Sequence, residues 1–91
     1  MQPLTQAIPG ALAALLRTGP MSPAKLTFAW QVAVGTALAR VTAVHLEGKV
    51  LLVDAQTAMW SREVKRSTAL ILGRLEHLLG PNVISEIHVR A

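Results

Sequence analysis

Apolar and polar positions along this chain change their period twice. From Thr5 to Arg17, Ile8, Leu12, Leu15 and Leu16 recur at helical spacing. Thr5 stands where an N-cap belongs, Pro9 is tolerated in the opening turn, and Thr18-Gly19-Pro20 stops the helix. Ser22 and Pro23 then open a second helix that carries Leu26, Phe28, Trp30, Val32 and Val34 up to Gly35. Thr36 to Arg40 either continues that helix past a kink at Gly35 or forms a separate turn.

Beyond Arg40 the period shortens to two. Ala43–Glu47 and Val50–Ala55 alternate as strands, and Gly48-Lys49 fits a two-residue hairpin turn with glycine first. In the second strand Leu51, Val53 and Ala55 share one face, and Val50, Leu52 and Asp54 share the other. Asp54 has no place unpaired in a core, so the Leu51 face is expected to point inward. Val50 and Leu52 are then either covered by something else or open to a partner.

Helical spacing returns over Thr57–Leu79, read as one long helix ended by Gly80-Pro81. Trp60, Val64, Ser67, Ile71, Leu75 and Leu78 form its apolar stripe, with Leu72 and Leu79 beside it. Both tryptophans are expected in the core, and Met59 and Leu70 are expected to pack beneath the first helix. A last strand over Val83–Arg90 turns Val83, Ser85, Ile87 and Val89 to one side. The order is α-α-β-β-α-β, an α+β fold with a three-stranded sheet and helices on one face. Whether the last strand lies beside the first or the second is left open by the pattern.

Composition narrows the function. Ninety-one residues, of which 52% are hydrophobic, make one domain with a core of its own. No cysteine is present, which excludes thiol catalysis, disulfides and thiolate zinc sites and fits the cytoplasm. The longest apolar run, Ile8–Leu16, contains Pro9 and Gly10 and falls short of the roughly 20 residues that span a bilayer. No basic residue precedes it, as a signal peptide would require. The chain therefore reads as soluble.

Nine basic and five acidic side chains give a formal charge of +4, and no acid precedes Glu47. Such a balance suits polyanions. Arg62, Lys65 and Arg66, at spacings of three and four, fall opposite the apolar stripe of the long helix, where Glu63 cannot neutralise all three. Phosphates would lie along that ridge, with Lys49, Arg40 and Arg90 as outlying contacts. The alternative is a protein-docking module that uses Val50, Leu52 and Ile84.

Enzyme chemistry has no visible site. His45, His77 and His88 lie on three different elements, which does not suit a shared metal. The five carboxylates form no paired arrangement, no glycine-flanked serine elbow occurs, and the glycines do not cluster into a phosphate loop. No catalytic residue, metal ligand or cofactor is assigned.

Trp30-Gln-Val-Ala-Val-Gly35-Thr-Ala-Leu38-Ala39-Arg40-Val-Thr42 resembles the signature W-x-x-V-V-G-x-x-L-A-x-H-T. Leu51-Leu-Val53, then Ala58-Met-Trp60-Ser-Arg-Glu-Val64, and the closing strand Val83–Val89 resemble the segments that follow it in the DciA family. The resemblance covers roughly Leu12–Arg90. It implies a KH-like fold, DNA binding, and a role in operating or loading the bacterial replicative helicase. Val41 stands where the family usually has histidine. Many members engage the helicase through a long tail, and with the sequence ending at Ala91 that mode of binding is not carried over; no G-x-x-G loop of a nucleic-acid-clamping KH domain occurs.

Overall fold

A computed structural model describes residues 20–90. The helix expected over Thr5–Arg17 lies outside the described residues. Helix α1 (Pro23–Val34) begins as its first two residues require, with proline at the opening position and Ser22 Oγ accepting from the Lys25 amide at 3.1 Å. It ends at Gly35, whose φ of 90° is strained for any residue with a side chain. The chain then restarts as α2 (Thr36–Arg40), so the two segments are separate helices.

A buried hydrogen-bond chain ties these helices to the sheet. The indole Nε1–H of Trp30 donates to Thr42 Oγ1 at 2.9 Å, and the same hydroxyl donates to the Leu38 carbonyl at 2.8 Å. Trp30, Leu38 and Thr42 thereby join α1, α2 and the first residue of strand β1 (Thr42–Glu47). Trp30 is 2% exposed, so its N–H would be costly to leave without an acceptor.

Strand β1 returns through Gly48-Lys49 into β2 (Val50–Ala55), with Glu47 opposite Val50 and Thr42 opposite Ala55. Gly48 has a φ of 60° and Lys49 does not share that sign, the pattern of a hairpin turn with glycine first. Strand β3 (Glu86–Arg90) lies parallel to β2, with Val50 opposite Glu86 and Asp54 opposite Arg90. The sheet order is β1-β2-β3, so β2 is central. β3 is shorter than the pattern predicts because Ser85 turns its amide and its hydroxyl to the Lys49 carbonyl, at 2.7 and 3.3 Å, ahead of the ladder.

The long helix is two helices, which corrects the expectation from periodicity. Helix α3 (Ala58–Arg66), capped by Thr57, ends at Ser67, and α4 (Thr68–Leu79) follows. At Ser67 φ is −101° and ψ is 10°, and its amide is shared between the Glu63 and Val64 carbonyls. The Thr68 hydroxyl donates to the Val64 carbonyl at 3.1 Å, a back-bond of the kind that bends helices. The break also shifts which side faces inward. On α3 the buried residues are Ser61 and Val64, while Trp60 is half-buried rather than part of the core.

All helices that touch the sheet cover one face. Leu51 and Val53 are fully buried beneath them, with Val44, Leu46, Ile87 and Val89 packed around. Leu26, Trp30, Val64, Ile71, Leu75 and Leu78 complete the core. The inward choice of the Leu51 face holds. Met59 and Leu70 are exposed, against the expectation that they pack, and Phe28 is exposed as well. No helix among the described residues is long and apolar enough to cross a membrane.

Leu51→Ala is expected to lower unfolding free energy by about 2–5 kcal/mol in urea melts, and Leu70→Ala to leave it within about 0.5 kcal/mol. Thr42→Val keeps the side-chain shape but strands the Trp30 N–H, and should cost about 1–3 kcal/mol, with Thr42→Ser recovering most of it. A Thr42→Val protein as stable as the parent would remove the hydrogen-bond chain from the account.

Candidate nucleic-acid interface

The side of α3 that faces away from the sheet is set by the burial of Ser61 and Val64. Arg62, Lys65 and Arg66 fall on that outer side and are exposed. Arg66 is hydrogen-bonded to Glu63 within the helix, an exposed pair at i and i+3. Arg62 and Lys65 make no ion pair among the described residues. Met59, Arg62, Glu63 and Arg66 line a shallow groove of about 410 Å³. Met59 stands 61% exposed at one end of this ridge, and Leu70 stands 57% exposed one turn past Arg66.

The other three candidate cations are spread around the molecule. Arg90 ends β3 on the open face of the sheet and grips Asp54 with two hydrogen bonds, at 2.9 and 3.1 Å. Lys49 sits in the hairpin turn at the opposite end of β2, roughly 16 Å away at the usual strand rise. Arg40 closes α2, exposed and without an ion pair among the described residues. The structure thus gathers Arg62, Lys65 and Arg66 and leaves Arg40, Lys49 and Arg90 apart. Surface pairs such as Arg66–Glu63 and Arg90–Asp54 are worth about 0–1 kcal/mol, so a phosphate can compete for either arginine.

The open face of the sheet carries the alternative site. Val50 and Leu52 are half-buried there and lie outside the core cluster. Ile84 does not join them, since it precedes β3 and packs partly against the core. Two exposed histidine–glutamate pairs flank the strip. His45 Nε2 lies 3.5 Å from Glu47 Oε2 on β1, and His88 Nε2 lies 3.7 Å from Glu86 Oε2 on β3. The two histidines are separated by β2, roughly 10 Å at normal strand spacing, too far to share one ion directly. Among the described residues no three histidine, aspartate or glutamate side chains converge as a metal-binding group.

One structural role escaped the sequence. Arg74 Nη1 donates to the Ala33 carbonyl at 2.9 Å, so a half-buried arginine of α4 holds the last turn of α1. A cation there meets the negative end of the helix dipole. Periodicity carries no sign of this contact, because it joins residues 41 apart.

The geometry gives the signature residues a physical meaning. Trp30, Leu38 and Thr42 make the buried hydrogen-bond chain, and Gly35 makes the positive-φ break between α1 and α2. The segment Trp30–Thr42 therefore encodes a folding unit, and the exposed cations of α3 lie outside it. No match was found among curated proteins or solved structures. The profile of the family described as Dna[CI] antecedent, DciA, matches residues 3–89, nearly the whole chain. The chain belongs to the DciA family, which places it in bacterial replication and helicase loading, in an accessory rather than a catalytic family.

Proposed function

We propose that this chain is a non-enzymatic, DNA-associated accessory protein that assists loading of the replicative helicase in the bacterial cytoplasm. One observation carries the DNA contact. Arg62 and Lys65 stand without an ion pair among the described residues on the exposed side of α3, next to Arg66, which pairs at the surface with Glu63. From Arg62 to Arg66 the helix advances about 6 Å, enough to engage one or two neighbouring phosphates but not a long track. Contacts to phosphate carry no base information, so binding is independent of sequence, modest in strength and steeply weakened by salt. Lys49, Arg40 and Arg90 add to the positive field from other sides, Arg90 in competition with Asp54.

A second reading rests on the open sheet face. Val50 and Leu52 form a half-buried apolar strip outside the core cluster, a surface fit to dock a second copy or another subunit. The two readings separate in one pair of measurements. In sedimentation, a tight dimer that Leu52→Glu dissociates, together with no affinity for DNA, decides for docking.

Replacing Arg62, Lys65 and Arg66 together by alanine should make the plot of log affinity against log salt shallower by roughly 2–3 units. An unchanged slope removes these residues from the interface. Their exposure makes the stability cost of Arg62→Ala or Lys65→Ala less than about 0.5 kcal/mol in urea melts, so lost binding will not be unfolding. Asp54→Asn releases Arg90 and should raise DNA affinity roughly two- to threefold at low salt. Unaltered affinity in that variant places Arg90 outside the contact.

A further inference from the structure

Among the described residues, β1 is an edge of the sheet, and a groove runs along it. One part, about 510 Å³, lies between α1, α2 and the start of β1, where Trp30, Gln31, Arg40 and Thr42 line it. A second part, about 220 Å³, continues beside Leu26, His45 and Leu46. Thr27 of α1 and Val44 of β1 line both parts, so the groove follows the strand from Thr42 to Leu46 with a helix as its far wall.

The hairpin register decides which backbone groups face that groove. Glu47 and Val50 close a two-residue turn, which makes them a hydrogen-bonded pair, and bonding then alternates along the strand. Val41, whose carbonyl accepts from the Gln56 amide at 3.0 Å, falls in the same set as Ala43, His45 and Glu47. The N–H and C=O groups of Val44 and Leu46 therefore point away from β2, into the groove. No element among the described residues pairs with them.

We propose that this edge captures an extended acidic peptide segment of a protein partner as a fourth strand. An alternation of donors and acceptors matches polypeptide backbone, whereas a phosphate chain would meet carbonyls at every second position. Charge selects the acidic partner. Arg40 is the one lysine or arginine that lines the groove, no aspartate or glutamate lines it, and Glu47 at the far end of β1 lies beside His45. A second copy on the same edge would appear as a dimer in sedimentation of the free chain with Thr42–Leu46 at its contact, and that result overturns the proposal. The site goes beyond the DNA reading and shares only Arg40 with it, leaving the helicase-loading protein a place to hold a protein while α3 meets nucleic acid.

The test uses the full chain, labelled with ¹⁵N and titrated with a capped peptide of alternating glutamate and valine. Amide shifts should concentrate on Thr42–Leu46. Lysine in place of glutamate, or N-methylation of every second peptide residue, should each weaken binding roughly tenfold or more. Thr27→Trp, which fills the groove from its exposed helix wall, should do the same while leaving the salt dependence of DNA binding unchanged. Equal binding of the N-methylated peptide overturns the proposal, as do shifts that fall on α3 or the open sheet face. Two other outcomes also overturn it: cross-strand contacts between residues 1–19 and Val44 or Leu46 in the free chain, and single-stranded DNA shifting the edge amides while the peptide does not. DNA affinity is read in a separate titration, so failure of either site is seen apart from the other.

Discussion

A single buried N–H governs how this fold is assembled. The indole of Trp30 is buried, and its N–H is costly to leave without an acceptor. Thr42 provides that acceptor from the first position of β1, and its own hydroxyl hydrogen goes to Leu38 of α2. Three elements are thereby placed relative to one another by two bonds. Gly35 makes the arrangement reachable, because the chain must break between α1 and α2 for Leu38 to come back over Trp30. The contact of Arg74 with Ala33 then fastens the end of α1 to the last helix.

The central strand divides the functions. With β2 between β1 and β3, the described helices gather on the Leu51 face, and the opposite face carries alternating apolar and charged residues. That separation keeps the cations of α3 away from the Val50–Leu52 strip and from the groove along β1. A protein of this size thus presents three different surfaces: a basic ridge, a flat mixed face and an open strand edge. Under the proposed function such separation lets DNA and a protein partner bind without competing for one surface.

The break at Ser67 shows how a local competition alters a surface. Hydrophobic spacing runs through Ser67 without interruption, and nothing in a wheel of 100° per residue marks a stop there. The hydroxyl of Thr68 nevertheless claims the Val64 carbonyl, and the helix restarts. Its consequence is a change of phase. Ser61, not Trp60, meets the sheet on α3, and Met59 is left in solvent beside Arg62 and Arg66.

Element types, the hairpin turn at Gly48-Lys49, the inward Leu51 face and the exposed ridge of Arg62, Lys65 and Arg66 were all legible in the residue pattern. Each is determined by local physics: a period of two or 3.6, a positive φ, or the cost of burying Asp54. The family too was legible, since its signature is the set of residues that builds the Trp30–Thr42 unit. Tertiary structure alone decided that β3 lies beside β2, that Arg90 spends its charge on Asp54, and that Ile84 turns from the open face. It also decided the burial of Ser61 and the reach of Arg74 to Ala33. These depend on residues far apart in sequence coming within a few ångströms, and no local period carries information about a partner 36 or 41 positions away.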